Sequence, residues 1–436
     1  MRSSYKLNSV LGLYDPAFFR IELDFPFYWE NSTILNMPAK KLAVFVHEYI
    51  HFLQDISTFF GLNNLYVFSE YIHGAIAQIY KEPLGKIVVP IKMDRNYSNI
   101  ELNQFVNSEG LGATDKEEVT LFVRGYKRYV RNVPYQTTLN KVVEIYIRQM
   151  NGDNLPFGAH AIRESMAYIM ERHLTVGSPS ANDYPYNAAY AMAQHIYPRF
   201  CWDDLNLMAL CDMSLQSSMP GYVFVNTLEE FKKNGFIPSR PEEVYDYFYD
   251  RTCIQMKQET SFLMGLLPFG VLVGERLKTY YEDRQFKDFH DIISRMIGTG
   301  LRMRLENRYW LLDMAKMGDL SGHSLSNNIV FNQLLSLIGA PLIKDSESSF
   351  FVIPPSDMNR NTSVSSFQAI KQFEYLFREG NSCCSLYEWC EKSSDVYQDD
   401  RCIEAPWTRC TDARLCPFAA LWHHWKLEGY EPVVGF

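Results

Sequence analysis

The sequence lacks several features that mark common classes of protein. No uncharged apolar run approaches the roughly 20 residues that a membrane-spanning helix needs. Residues 1–9 also lack the basic-then-apolar profile of a secretory signal. Basic charge is scarce, since 42 Lys and Arg stand against 51 Asp and Glu, for a formal net charge of -9. These absences argue against membrane partners and against nonspecific nucleic-acid binding.

Paired cysteine motifs and internal repeats are also missing. The nine cysteines include no C-x-x-C pair, and an odd number without an export signal is typical of a reducing compartment. We therefore expect a soluble, cytoplasmic protein. Hydrophobic residues make up 47% and aromatic residues 15% of the chain, which is enough for a large packed core.

The most informative feature present is the stretch His47-Glu48-Tyr49-Ile50-His51. Residues four apart on a helix are neighbours, so His47 and His51 can bind one metal ion. Glu48 lies next to that ion, where it can deprotonate a bound water whose pKa zinc lowers to about 7. The residues around the motif are uncharged, as a buried ligand helix requires.

The stretch from Val44 to Leu53 resembles the longer zincin metallopeptidase pattern at every position. The metzincin subclass is excluded, because Gln54 and Ser57 occupy the places of its glycine and third histidine. In the gluzincin subclass the third ligand is a Glu on a later helix. The resemblance therefore implies that the third ligand lies downstream of the motif.

The stretch 158–167 is similar to the second-helix motif of gluzincins, with Glu164 as ligand and Ala167 one turn later. The resemblance implies a zinc ion held by His47, His51 and Glu164. Glu171, two turns further along, is the alternative ligand. The separation from the histidines is long for the family, and the β insertion predicted below accounts for it.

Further residues are candidates for supporting roles. Asp55 lies one turn after His51 near the negative end of the helix dipole, where a carboxylate is otherwise unfavourable, so we expect it to accept a hydrogen bond in the site. Gln54 is a weaker candidate of the same kind. The candidates for stabilising an oxyanion are Tyr168, which replaces an Asp of the family, Tyr190 and His195. His160 and His173 are interpreted as structural or supporting residues.

The pattern of periodic segments predicts an α+β fold that is predominantly helical: a zincin-like catalytic core with a small β insertion and a helical C-terminal half. The motif helix should begin near Ala39, after Pro38, and stop at Gly61, with a second helix from about Leu65 to Tyr80. Strands are predicted at 86–91, 119–123 and 142–147, as one inserted sheet. Further helices are predicted over roughly 159–174, 186–199, 203–217, 241–280, 287–316, 326–338 and 365–378.

Three regions follow from this pattern. Residues 1–230 form the predicted zincin-like catalytic domain with its β insertion near 85–150. Residues 231–380 form a helical region packed on it, and residues 381–436 form a cysteine-rich segment.

The C-terminal segment contains six of the nine cysteines, between positions 383 and 416. Three alternatives stay open: buried reduced thiols, a bound metal such as structural zinc or an iron–sulfur cluster, and a redox-active disulfide. The candidate ligands of a second metal site are Cys402, Cys410 and Cys416.

The leading functional hypothesis is a peptidase that uses Zn²⁺ and acts on an intracellular protein or peptide. One alternative is a non-catalytic or latent zincin-fold protein with a regulatory protein partner. Another is a ferritin-like di-iron site, because Glu48 with His51 and Glu70 with His73 are both E-x-x-H pairs. The di-iron hypothesis leaves His47 without a role and needs two further Glu residues.

Overall fold

A computed structural model describes residues 12–15, 19–27, 37–93, 119–135, 138–175, 183–255, 262–280, 287–320, 325–347, 349–358, 364–392 and 398–435. In these ranges helices predominate and the strands form small sheets, which confirms an α+β, mostly helical class. The helices are α1 Ala39–Ser57, α2 Phe59–Ile79, α3 Ala159–Leu174, α4 Ala188–Ile196, α5 Asp204–Ser214, α6 Pro220–Asn234, α7 Glu242–Gln255, α8 Phe262–Tyr280, α9 Lys287–Glu306, α10 Trp310–Lys316, α11 Leu325–Ile338, α12 Val364–Glu374, α13 Tyr387–Lys392, α14 Arg401–Glu404 and α15 Pro417–His424.

The strands are short except for one hairpin. They are β1 Gly12–Asp15, β2 Arg20–Leu23, β3 Gly85–Val89, β4 Val119–Thr120, β5 Val123–Tyr135, β6 Thr138–Gln149, β7 Asn154–Pro156, β8 Asp183–Tyr184, β9 Ala340–Lys344, β10 Phe350–Ile353 and β11 Tyr430–Val434. Strands β5 and β6 form the long antiparallel hairpin, to which β7 adds a third strand.

The motif helix α1 begins at Ala39, as predicted, but it ends at Ser57 rather than at Gly61. The reason is Thr58, whose backbone is extended and whose hydroxyl accepts a hydrogen bond from the Gly61 amide at 3.0 Å. Thr58 thereby caps α2, which starts at once. Gly61 lies inside α2, where a Cβ atom would overlap the Cα of Asp55. Only glycine permits this tight corner between the two helices.

Helix α1 is buried on all sides, from Leu42 onward with the exception of Val44. It contacts helices α2, α3 and α9 and strands β1, β2 and β9. A helix surrounded in this way needs apolar side chains around its whole circumference. Polar side chains of α1 are therefore held away from bulk water and need partners within the protein.

The sheets differ from the prediction of one inserted sheet. Strand β3 does not join the hairpin near it but pairs in parallel with β11, with Gly85 opposite Tyr430. A four-stranded sheet has the order β1-β2-β9-β10 and so joins the two halves of the chain. The inserted sheet consists of β5, β6 and β7 and does not include β3.

Several helix predictions also need correction. The range 241–280 contains two helices, α7 and α8, and the range 287–316 contains α9 and α10. Helix α6 was not predicted, although Pro220 occupies its first turn and Gly235 ends it with a φ of 66°. Both residues are characteristic helix boundaries.

The three predicted regions share one cluster of buried apolar side chains. Strand β2 of the first region pairs with β9 of the second, and β3 pairs with β11 of the third. The division at residues 230 and 380 stays a prediction. Among the residues that the structure describes, no helix combines the length and apolarity that crossing a bilayer requires.

Candidate metal centre

Two helices in contact within the core carry the candidate site. Helix α1 supplies His47, Glu48 and His51, and helix α3 supplies Glu164 and Glu171. The centroids of the two imidazole rings lie 4.9 Å apart, as expected for side chains one helical turn apart. The predicted histidine pair is therefore brought together on one side of α1.

The carboxylate of Glu164 lies between the two imidazoles. Its Oε2 atom is 3.1 Å from His47 Nε2 and 3.3 Å from His51 Nε2. One ligand atom from each residue lies within 4.8 Å of the others, and in the described ranges no other group of His, Cys, Asp or Glu has this spacing. Tetrahedral zinc with bonds of about 2.0–2.1 Å separates its ligand atoms by about 3.3 Å. The two separations at Glu164 are therefore compatible with one metal ion held by all three residues.

The outer nitrogen of each imidazole has its own oxygen partner. His47 Nδ1 lies 3.0 Å from Glu171 Oε2, and His51 Nδ1 lies 2.9 Å from Gln54 Oε1. With a metal ion at Nε2, each Nδ1–H would donate to its oxygen partner, which is the tautomer that binds metal. Glu171 thus lies against the outer nitrogen of His47 and is not a member of the group at ligand spacing.

Arg163, next to Glu164, fixes α3 against α1. Its Nη2 atom lies 3.2 Å from Asp55 Oδ1, and its Nε donates to Gln54 Oε1 at 3.3 Å. Gln54 Nε2 in turn donates to the Arg163 carbonyl oxygen at 3.1 Å. Asp55 is fully buried and acts on the site through Arg163. Arg163 was not among the predicted site residues, and its one sequence signal is its position directly before Glu164.

Burial and neighbouring charges shift the pKa values of the three ligands in different directions. Burial disfavours a charged His47, but hydrogen bonds to Glu164 and Glu171 outweigh burial and raise the pKa of His47 well above its ordinary value. Burial lowers the pKa of His51. Burial also opposes ionisation of Glu164, yet the two histidines hold its pKa well below the usual range.

The pKa of Glu48 shifts in the opposite direction to that of Glu164. Burial raises its pKa to about 8; the neighbouring His47 counteracts this, whereas the charges of Glu164 and Glu171 add to it. A divalent cation among these groups would lower the pKa of Glu48, because it would offset the excess negative charge.

Strand β1 passes directly over Glu48. A Cβ atom on Gly12 would lie 3.0 Å from Glu48 Oε1 and 2.6 Å from Val44 Cγ1. Glycine is therefore required for the strand to approach the motif helix this closely. This contact could not be predicted, because residue 12 lies far from the motif in the chain.

Of the predicted oxyanion candidates, Tyr168 is buried, whereas Tyr190 and His195 are exposed. Tyr168 is buried, and its ring centroid lies 6.1 Å from that of Tyr186, which lies 5.8 Å from His47. His195 is exposed and its described ring contact is with Tyr126 of the hairpin. The structure therefore places His195 with β5 rather than beside the ligands, and Tyr190 is exposed as well.

The two histidines of α3 lie outside the group at ligand spacing. His160 Nδ1 lies 3.7 Å from Glu164 Oε1, close enough to affect the ligand electrostatically. His173 Nε2 lies 2.8 Å from Asp204 Oδ1 and so joins α3 to α5.

The second E-x-x-H pair belongs to a different part of the core. Glu70 forms an ion pair with Arg276 of α8. Burial and Arg276 together lower the pKa of His73 to about 4. Neither residue belongs to the metal-ligand group found among the described residues, so the site does not have the paired composition that a di-iron centre needs.

The predicted cysteine trio is not brought together. Within the described ranges, the sulfur atoms of Cys402, Cys410 and Cys416 do not form a group at ligand spacing. The charged neighbours of Cys410 are Glu428 and Asp412, which add to burial in raising its pKa. Cys402 instead accepts a hydrogen bond from Arg409.

Comparisons with protein-family models, with curated proteins and with solved structures gave no match. The case for a function therefore depends on the geometry and chemistry of the site. The resemblance of 44–53 and 158–167 to gluzincins stays a hypothesis about that chemistry.

Proposed function

We propose that the protein is a zinc-dependent metallopeptidase that hydrolyses peptide bonds of an intracellular protein or peptide. His47, His51 and Glu164 are the ligands and Glu48 is the general base. The observation that carries this proposal is the convergence of both Nε2 atoms on one oxygen of Glu164.

The donor set supports zinc as the cofactor. Two imidazole nitrogens and one carboxylate oxygen are typical of catalytic zinc, which keeps a fourth position open. When bound, zinc acidifies water and polarises a substrate carbonyl. The hydrogen bonds of both Nδ1 atoms fix the ring orientations in advance, so little ordering is needed on binding.

Glu48 is suited to move the proton in this reaction. Its carboxylate lies near the ligands but is not one of them, and it is buried. A buried carboxylate is a stronger base than an exposed one. Glu48 accepts the proton of the attacking water and delivers it to the leaving amine.

The test is the Glu48→Gln variant, which keeps the shape and removes the base. We expect turnover of a peptide library to fall about 100- to 10,000-fold, while zinc content per chain is unchanged. The matched control is Glu306→Gln, at an exposed position of α9. Hydrolysis is followed by mass spectrometry, and undiminished turnover by the Glu48→Gln protein contradicts the mechanism.

Low exposure of the site favours a second candidate function, a latent zincin-like protein that a protein partner activates. The side chains of His47, His51 and Glu164 are only 10%, 6% and 18% exposed. A peptide bond must reach the open metal position to be cleaved. A zinc-loaded chain that neither cleaves the library nor binds a hydroxamate supports latency, whereas cleavage by the chain alone contradicts it.

A further inference from the structure

The hairpin of β5 and β6 is basic, although the chain as a whole is acidic. Residues 123–149 contain one acidic residue, Glu144, whereas the whole chain has a formal net charge of -9. The basic residues of this stretch are Arg124, Lys127, Arg128, Arg131, Lys141 and Arg148. A local excess of one charge sign attracts ligands of the opposite sign.

Two of these basic residues have acidic partners within the protein. Arg128 forms an ion pair with Glu229 of α6, and Arg131 Nε lies 3.2 Å from Glu144 Oε2. In the described part of the chain, no ion pair or hydrogen bond involves the side chains of the others, which are Arg124, Lys127, Lys141 and Arg148. The positive charges of these side chains are therefore available to a ligand.

The pairing of the two strands places three of the basic residues on one face. Gly125 on β5 is opposite Arg148 on β6, and two residues further along Lys127 is opposite Tyr146. Residues opposite each other share a face of the hairpin, and so do residues two or four apart on one strand. Lys127, Arg131 and Arg148 therefore share one face, which we call the basic face.

Exposed aromatic and apolar side chains accompany these charges. Tyr129 lies between the two basic residues of β5 on this face and is 43% exposed, and its ring packs edge-on against Tyr146 with centroids 5.4 Å apart. At the open end of the hairpin, Phe122 and Met150 are 64% and 67% exposed. Aromatic residues and arginine are enriched where proteins bind other chains.

The sheet that carries the basic face is joined directly to the ligand helix. Strand β7 pairs with β6 and ends at Pro156, shortly before α3 begins. The Tyr184 hydroxyl donates to the Pro156 carbonyl oxygen at 2.9 Å. Two residues after Tyr184, the ring centroid of Tyr186 lies 5.8 Å from that of His47. The hairpin sheet and the candidate metal centre are therefore neighbours.

We propose that the basic face of the hairpin binds an acidic segment of the protein or peptide that the metal site cleaves, an inference that rests on the proposed function. Carboxylates of the segment pair with Lys127, Arg131 and Arg148, and its apolar side chains pack on Tyr129. Opposite charges accelerate the encounter and favour this partner over neutral or basic ones. The acidic remainder of the chain repels the same segment and so directs it to the hairpin.

Charge on this hairpin has a second possible role in protecting a sheet edge. In the described ranges β5 is an edge strand of its sheet, and charged side chains prevent such strands from pairing with other chains. A carboxylate protects an edge as well as a lysine does, whereas only a cation attracts an acidic segment. Charge reversal therefore separates the two roles.

The experiment measures peptide binding by the full-length Glu48→Gln chain, which holds a peptide without cleaving it. The probe is a fluorescent peptide rich in Glu with isolated Leu residues, and the reference peptide has Gln in place of each Glu. We expect fluorescence anisotropy to show about 10-fold tighter binding of the Glu peptide. This difference should shrink as salt is added, because exposed charges are screened.

The variant that tests the basic face is Lys127→Glu with Arg148→Glu. We expect its affinity for the Glu peptide to fall about 10-fold or more, because two attractive contacts become repulsive. Affinity for the Gln peptide should not change, and circular dichroism checks the fold. The matched control is Lys92→Glu with Arg302→Glu, which changes the net charge equally at exposed positions elsewhere and should keep the affinity.

Four results would overturn the proposal. They are equal affinity for the Glu and Gln peptides, an equal loss in the two double variants, tighter binding of a single-stranded oligonucleotide than of the Glu peptide, and self-association that the hairpin variant abolishes. Because binding is measured without turnover, failure of the peptidase proposal is a separate result. A chain that binds the Glu peptide through the hairpin but cleaves nothing contradicts peptidase activity and leaves the acidic docking surface in place.

Discussion

The imidazole of His47 is constrained on three sides. Glu164 lies at its Nε2 atom, Glu171 lies at its Nδ1 atom, and the ring of Tyr186 packs against its edge. These contacts define one ring orientation, in which Nδ1 faces Glu171 and Nε2 faces Glu164. Glu171 therefore determines how well His47 can act as a ligand.

The distinction between ligand and supporting carboxylate can be tested by Glu171→Gln and Glu164→Gln. The first change keeps an oxygen that accepts from His47 Nδ1–H, so we expect zinc affinity to fall about 10- to 100-fold. The second removes a ligand and should lower affinity further. Competition with a chromophoric chelator measures both, with Glu306→Gln as the control. A larger loss for Glu171→Gln would reverse the two assignments.

A side chain at residue 12 would press on Glu48, because an added Cβ atom would lie 3.0 Å from Glu48 Oε1. We expect Gly12→Ala to lower turnover roughly 10- to 100-fold, because displacing a catalytic group by about 1 Å can cost about 100-fold. Zinc content should not change, because Glu48 is not a ligand. The control is Gly265→Ala, where nothing lies within 4 Å of the added atom. Full turnover by the Gly12→Ala protein would show that the strand does not constrain the base.

At the scale of elements, the site depends on how α3 packs against α1. The buried contacts of Arg163 with Asp55 and Gln54 join the two helices directly behind the ligands. Removing Asp55 would take from this buried arginine the carboxylate with which it forms its 3.2 Å ion pair. The packing of the two helices and the geometry of the ligands are therefore coupled.

This coupling predicts a large effect of Asp55→Ala. We expect the free energy of unfolding to fall by about 3–5 kcal/mol, as for other broken buried ion pairs. Urea denaturation measures it, with the exposed Asp288→Ala as the control. A loss below about 1 kcal/mol would mean that Arg163 has other sufficient partners.

Local signals in the sequence were enough to predict the helices that carry the ligands. Helix α3 has the predicted bounds, and α1 begins where Pro38 indicated. The end of α1 was predicted too late. Glycine often ends a helix, but Gly61 lies inside α2, where it packs closely against Asp55 of α1. The extended backbone of Thr58 has no equally clear sequence signal.

Contacts between distant segments could not be predicted. The contact between Glu171 and His47 depends on how two helices pack that are more than 100 residues apart in the chain. The same is true of Gly12 over Glu48 and of β3 beside β11. Periodicity reports which face of an element is buried, but not which element covers it.

At the scale of the whole molecule, segments that are distant in the sequence pack around α1. Strand β9 joins the sheet beside β2, and Gly300 of α9 packs so closely on Ile56 that a Cβ atom would lie 2.9 Å from it. A buried ion pair of 2.8 Å between Arg304 and Asp212 links α9 to α5. The group of His47, His51 and Glu164 is therefore surrounded by the main core.

Because the candidate site lies within the main core, we expect metal removal to destabilise the whole chain. Zinc at 100 times its Kd stabilises the folded state by about 2.7 kcal/mol, so EDTA should lower the melting temperature. Differential scanning fluorimetry measures the shift, and the His47→Ala, His51→Ala chain should lose the part that belongs to this site. An equal EDTA shift in both chains would contradict the prediction.

The central claim is that His47, His51 and Glu164 bind one divalent cation. The most direct measurement is the metal content per chain of purified protein, wild type beside the His47→Ala, His51→Ala variant, with folding checked by circular dichroism. The account predicts about one zinc ion fewer in the variant. Equal zinc in both proteins, or iron in place of zinc at the site, would contradict it.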